Sequence, residues 1–181
     1  MRPLFSIFNV LSLALLGLAA LALRMVQAPP ATPDPPKLQA ANQKQVKATL
    51  YFSDSQVQGF VKQVREVLVP QTTPVSVAQA TLNAWAAGPQ GGGAVAVVPK
   101  GSKVPQVWLR GEHFVVNLPQ NYTQLNYGSS GERMLICSLT RTLLEQRGKD
   151  VMFLVGGQNA STLLGHADLS SPYAREDCAE E

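Results

Sequence analysis

Residues 4 to 23 contain 16 hydrophobic residues in 20, broken only by Ser6, Asn9, Ser12 and Gly17, and no polar face recurs along them at helical period. An α-helix rises about 1.5 Å per residue, so a run of this length reaches about 30 Å, the thickness of a bilayer's hydrocarbon core. A helix that is apolar on every side has no face to give to water, and the segment is therefore expected to be membrane-directed. Residues 1 to 27 are read as a membrane anchor or uncleaved signal segment, crossing once. The alternative is cleavage at the small-x-small sequence Ala20-Leu21-Ala22, which would release a secreted domain. No cysteine stands near the end of the run, so a lipid-modified anchor is not expected.

The next segment cannot join a helix or a sheet. Ala28 to Pro36 holds five of the chain's 13 prolines in nine residues. Proline fixes φ and favours extended polyproline geometry, so residues 28 to 45 are expected to form a semi-rigid spacer. The formal charge of +3 also divides here: residues 1 to 47 carry Arg2, Arg24, Lys37, Lys44 and Lys47 against Asp34, which leaves the rest of the chain at −1. A nucleic-acid-binding domain needs a dense basic stripe to neutralise phosphates, and a nearly neutral domain argues against that class. Two cysteines are too few for a disulfide-built miniprotein. About 130 residues after the spacer suffice for one hydrophobic core.

Within residues 46 to 175, the pattern predicts strand, strand, helix, hairpin, helix, strand. Val46 to Phe52 reads as a strand ended by Ser53-Asp54-Ser55. Phe60 to Val69 carries both periods, and its four valines favour a strand. Thr73 can cap a helix that Pro74 begins and Gly88-Pro89 stops, with Val77, Ala78, Thr81, Leu82 and Trp85 inward. Lys103 to Leu109 and His113 to Leu118 bracket Arg110-Gly111-Glu112 as a hairpin. Ser129-x-x-Glu132 has the form of a capping box and opens a helix with Leu135, Ile136, Leu139, Leu143 and Leu144 inward, Arg141 and Glu145 wet, and Gly148 as its stop. Val151 to Val155 reads as a short buried strand. The expected class is α+β: one small mixed sheet with two helices packed on one face. Residues 176 to 181 are expected to form a solvated acidic tail.

Reactive constellations are scarce. His113 and His166 have no partner at metal-ligand spacing, so no metal site is expected. The Gly91-Gly92-Gly93 run lacks the Gly-Lys-Ser/Thr of a phosphate loop, and no cofactor is expected. Asp54, Glu66, Glu112 and Asp168 stand singly, without the pairing that hydrolytic chemistry needs. A buried thiol is the ordinary state of a helical cysteine such as Cys137, while in an oxidising compartment a bridge from Cys137 to Cys178 would clip the tail to the helix; both remain open. Trp85, Trp108, Tyr122, Tyr127 and Tyr173 could serve an interface, with Trp85 and Trp108 placed in the core. Asn121 and Asn159 head formal glycosylation sequons, which matter only in a eukaryotic secretory pathway.

Several short motifs in order resemble one family. Leu50-Tyr51-Phe52-Ser53-Asp54, the helix end Ala84-Trp85-Ala86-Ala87-Gly88-Pro89, then Val98-Pro99-Lys100-Gly101-Ser102 resemble the GerMN domain of bacterial sporulation and germination proteins. Val115-Val116-Asn117-Leu118, with Asn117 where the family usually has Asp, is similar to its middle strand. Gly131-Glu132 opening a helix with Leu139-Thr140-Arg141-Thr142-Leu143, and Val151 to Gly157, complete the match. The resemblance implies an extracytoplasmic domain without catalytic activity, similar in fold to the ring-building motifs of secretion and sporulation complexes. It also implies differences, because the namesake protein resembles a lipoprotein with two tandem copies and this chain has one. The expected function is a membrane-tethered, non-enzymatic module that binds envelope or membrane proteins or self-assembles. A peptidoglycan- or polysaccharide-binding accessory, or a cell-wall enzyme, is the alternative.

Overall fold

The computed structural model describes residues 7–27 and 43–179, with the side chains of the first helix described as far as residue 23. Most of the expected proline-rich spacer, the end of the acidic tail, and Leu4, Phe5 and Ser6 of the apolar run lie outside the described residues. The chain divides into two compact units, Met1–Gln39 and Ala40–Glu181.

The first unit contains helix α1 (Ile7–Gln27). Its apolar side chains are open: Ile7 is 81% exposed and Leu13 71%. Ser12 satisfies its hydroxyl within the helix, donating to the Phe8 carbonyl at 2.9 Å. Among the described residues no helix is long and apolar enough to cross a membrane. The single-pass anchor expected of residues 4 to 23 is therefore not carried by the described part of α1, which takes in only residues 7 to 23 of the apolar run and has Asn9, Ser12 and Gly17 within it.

In the second unit the elements run β1 (Lys44–Ser53), β2 (Phe60–Val69), α2 (Pro74–Ala86), β3 (Gln106–Arg110), β4 (His113–Leu118), α3 (Ser129–Leu144), β5 (Asp150–Val155) and β6 (Tyr173–Ala174). Short 3-10 turns lie at Gln120–Gln124 and Glu176–Cys178. The expected single sheet is two. β1 and β2 pair antiparallel as a long hairpin, while β3, β4, β5 and β6 form a separate mixed sheet in that order. β3–β4 and β5–β6 are antiparallel and β4–β5 parallel, so β4, α3 and β5 make a βαβ crossover. Alternation along the chain does not reveal this division, because it says which side of a strand is apolar and nothing about which strand lies beside it.

One core joins the two sheets. Leu50 and Phe52 of β1, Leu82 and Trp85 of α2, Phe114 and Val116 of β4, Leu135, Leu139 and Leu143 of α3, and Val151 and Phe153 of β5 are all buried in one cluster. α2 begins as its sequence dictates: the Thr73 hydroxyl accepts from the Ser76 N–H at 3.3 Å, and Pro74 occupies the first turn. The carbonyls at its other end are met by Arg65, which donates to Ala84 at 3.3 Å and Gly88 at 2.9 Å while lying over the Phe52 ring.

α3 departs from its expected pattern in three ways. Its N-cap is Gly128 with no side-chain cap, so the capping box does not form. Its burial is nearly all round, taking in Glu132, Ser138, Thr140 and Thr142 beside the leucines. Beyond its end the left-handed conformation falls on Arg147 (φ 78°) rather than Gly148. Gly148 is needed for space instead, since a Cβ there would stand 2.5 Å from the Phe114 ring.

Candidate functional site

Of the four carboxylates that hydrolytic chemistry would draw on, two organise local backbone. Asp54 accepts from the N–H groups of Gln56, Gln58 and Gly59, each at 3.0 Å, and so closes the β1–β2 turn. The Gln58 N–H foremost, with those of its neighbours, holds the Asp54 carboxyl below its ordinary range. Asp168 accepts from the hydroxyl and N–H of Ser170, and the hydroxyl first of all lowers its titration. Glu66 and Glu112 are exposed on β2 and the β3–β4 turn. His113 is paired with Asp150 at 2.8 Å on the surface. Among the described residues no group of three His, Cys, Asp or Glu could hold a metal ion.

Glu132, expected at a helix cap, is fully buried and does different work. Its carboxylate accepts from the N–H groups of Leu163 (3.1 Å), Leu164 (2.8 Å) and His166 (2.9 Å), with the His166 ring 3.4 Å away. One side chain of α3 thus moors the whole 163–166 loop. The sequence hides this role, since Ser129-x-x-Glu132 is spelled like a capping box and nothing local marks the loop as its partner.

Ser138 and Thr142 also face inward, onto the outer edge of β1. The Tyr51 N–H donates to the Thr142 hydroxyl at 3.0 Å, and the Ser138 hydroxyl donates to the Tyr51 carbonyl at 2.5 Å. Two helical hydroxyls therefore stand in for a neighbouring strand. Ser138 in turn accepts from the Trp85 indole N–H at 2.7 Å, which makes Trp85 the core residue expected. Trp108 differs: it alternates outward on β3 and is 45% exposed, against its expected place in the core.

Cys137 and Cys178 are joined by a disulfide that spans 41 residues of sequence, with Cα atoms 5.1 Å apart. Arg141 lies over the Tyr51 and Phe60 rings and donates to the Cys178 carbonyl at 2.9 Å. Arg175 pairs with Glu145 at 3.0 Å, and Tyr51 donates to the same carboxylate at 2.9 Å. Burial pushes the Glu145 carboxyl up, but the bonds from Arg175 and Tyr51 outweigh it and leave it below its ordinary value. The segment expected to be a solvated tail is thus folded back through residue 178, with Cys178 buried. The Tyr122 hydroxyl donates to the Lys103 carbonyl at 2.8 Å, and burial raises its titration. Tyr173 stacks edge-on to Phe153 and donates to the Asp168 carbonyl. Asn117 accepts from the Gly157 N–H at 2.6 Å, holding the turn after β5. Asn121 and Asn159, the heads of the two sequons, are exposed.

Beside the turn at Asp54 is a mostly apolar hollow of about 210 Å³, lined by Ser53, Val57, Val95, Tyr127, Gly131 and Met134 among others. Val57 there adopts φ 59°, unusual for a β-branched residue, and is pinned on both sides by the Asp54 bonds. Burial raises the Tyr127 hydroxyl. Nothing in the sequence marks this hollow, because Val57 sits between polar residues that read only as a turn. Its lining offers van der Waals contact, with the Tyr127 phenol and Ser53 as its polar side chains.

The comparisons agree with this architecture. The family model described as "Germane: Sporulation and spore germination" matches residues 49–161. The structure is similar to the first GerMN domain of the sporulation protein GerM from Bacillus subtilis, with 22% identity and a TM-score of 0.56, over 73% of this chain and 99% of that one. It is similar to the tandem GerMN domains of the same protein, with 21% identity and a TM-score of 0.55, over 73% of this chain and 47% of that one. A candidate lipoprotein from Clostridium perfringens is also similar, with 23% identity and a TM-score of 0.52, over 74% of this chain and 89% of that one. These likenesses establish the fold. Among curated proteins none matches in sequence.

Proposed function

Because the chain belongs to the Germane family of sporulation and spore germination, we propose that it is an extracytoplasmic module of the bacterial envelope that works by binding other proteins rather than by catalysis. The observation that carries this reading is the Cys137–Cys178 disulfide. Such bonds form and persist in oxidising compartments and are rare in the reducing cytoplasm. α1 supports it as well: Leu13, Leu16 and Leu18 are exposed along it, and a helix surface so rich in open leucines suits an anchor or a signal segment. The name of the Clostridium perfringens relative, a candidate lipoprotein, is compatible with an envelope location.

The non-catalytic part rests on how the carboxylates are used. Asp54 and Glu132 spend both oxygens on backbone N–H groups, and Asp168 gives one oxygen to the N–H and hydroxyl of Ser170, so each is engaged in holding local structure. The cell-wall enzyme alternative requires two carboxyls facing one cleft, and no observation favours it. The test is a topology reporter fused after residue 181, paired with trapping of the thiol state in intact cells. A periplasmic- or surface-type reporter signal with Cys137 and Cys178 bonded is expected. A cytoplasmic signal with both thiols free would overturn the location. Saturable sedimentation with purified peptidoglycan, together with hydrolysis of it, would overturn the protein-binding reading.

A further inference from the structure

We propose that two copies of this chain pair through the outer edges of their β2 strands, antiparallel about a two-fold axis, to make one continuous four-stranded sheet. The pairing rests on the reading of the domain as a protein-binding module and names a second copy as the partner.

The edge is open by construction. In an antiparallel ladder, main-chain groups alternate between facing the partner strand and facing away. On β1, Tyr51 faces away from β2, since its N–H and carbonyl go to Thr142 and Ser138, and Ser53 faces away to bond Val95. Tyr51 is opposite Lys62 and Ser53 opposite Phe60. The same alternation therefore turns the main-chain groups of Phe60, Lys62, Val64, Glu66 and Leu68 to the free side of β2. That edge runs along a 10-residue strand with no proline in it. β2 has no second neighbour in its sheet. β1, by contrast, has its outer edge closed at Tyr51 and Ser53.

The side chains on this edge name the partner. Lys62, Val64, Glu66 and Leu68 are exposed on one face, Val64 by 60% and Leu68 by 55%. Among the described residues neither Lys62 nor Glu66 makes a close ion pair; the Lys62 ammonium lies 6.0 Å from the Tyr51 ring centre and is drawn only at longer range to Glu145. The order Lys62-x-Val64-x-Glu66 is complementary to itself when reversed. With a two-fold axis at Val64, Lys62 faces Glu66 of the second copy, Glu66 faces its Lys62, Val64 faces Val64, and Phe60 faces Leu68. Directly opposed unlike charges and apolar pairs are what stabilise a cross-strand face. Moving the register by two residues sets each charge against an apolar side chain, and moving it by four sets like charges together. Only the register centred on Val64 matches every pair, and closed two-fold pairing of this kind is self-limiting.

The full chain in detergent micelles is the material for the test, with Val64→Cys as reporter. Its two native cysteines are bonded to each other, so the introduced thiol is the only free one. A mild oxidant or a short bis-maleimide should then give a covalent dimer through V64C, and the same substitution at exposed Val95 should not. Placing K62E or E66K in the V64C chain opposes like charges at two symmetric pairs and should lower cross-linking about tenfold. The two charge variants mixed together, or the double exchange K62E/E66K, restore every pair and should recover the dimer, which also proves that each variant is folded. Equal cross-linking in all backgrounds, no cross-link through V64C, or no recovery on mixing would each overturn the pairing. A cytoplasmic reporter signal, by contrast, would remove the envelope reading and leave the pairing standing.

Discussion

Glu132 shows how much a single buried carboxylate can hold. It is entirely inside the protein, and its stability depends on having three N–H donors for its oxygens. Glu132→Gln keeps the shape but turns one acceptor oxygen into an NH2 group pointed at a backbone N–H. Leaving such a donor unsatisfied costs about 1 to 3 kcal/mol, so E132Q should lose roughly that much in a denaturant titration. The loss should be local first, with the amides of Leu163, Leu164 and His166 giving up hydrogen-exchange protection before the strands do. Unchanged protection there would mean that the loop is held by something else. Asp54 makes a similar arrangement on the surface, and its titration turns it into an acid sensitivity. The carboxyls of Asp54 and Asp168 are lowered in the folded state, so each contributes stability that is complete above its unfolded value and lost as pH falls through the folded one. The melting temperature should be level towards neutral pH and decline below about pH 4. Asp54→Asn should flatten part of that decline; if D54N melts with the same acid profile, the β1–β2 turn is not its source.

At the scale of elements, α3 does the work of a strand. β1 would expose its outer edge at Tyr51 if the helix presented only leucines, and an open buried edge leaves polar groups stranded. Ser138 answers both the Tyr51 carbonyl and the Trp85 indole, while Thr142 answers only the Tyr51 N–H. Ser138→Ala therefore strands two buried groups, and Thr142→Val strands one. The expected losses are about 2 to 4 kcal/mol for S138A and about 1 to 2 for T142V, read from urea midpoints followed by Trp85 fluorescence. Reversal of that order would disprove the assignment of roles. These contacts also mark what the sequence could reveal. α2 is legible from end to end, because Thr73, Pro74 and Gly88 act within a few residues of one another. In α3, the leucines gave the helix and one of its faces. Its polar residues gave no sign of being buried, because their partners lie 87, 91 and 31 residues away in sequence, in β1 and in the loop at Leu163. Trp108 departs from its expected core position for a related reason: alternation on β3 fixes two faces, and only packing decides which of them is covered.

For the whole molecule, the disulfide ties sequence, fold and location together. α3 crosses between the parallel strands β4 and β5, and the chain then passes through the Glu132-moored loop and β6 before Cys178 returns to Cys137 on the same helix. The bridge therefore encloses β5, β6 and the loop between them, a 41-residue separation. Closing a loop of that size removes unfolded-state entropy worth about 4 kcal/mol in the chain-entropy account. That is a large share of the 5 to 15 kcal/mol, roughly, that holds a domain folded. Reduction should consequently lower the unfolding free energy by about 2 to 4 kcal/mol, and the double variant C137A/C178A should match the reduced wild type rather than the oxidised one. Both predictions are read from chemical denaturation with and without reductant. The comparison separates two origins of the stability. If reduction costs little, α3 and the folded-back tail are held by Arg141 on Cys178 and by Arg175 on Glu145, and a reducing compartment would be tolerated. If it costs the expected amount, the domain reaches its full stability only where thiols are oxidised, and the bond itself argues for export.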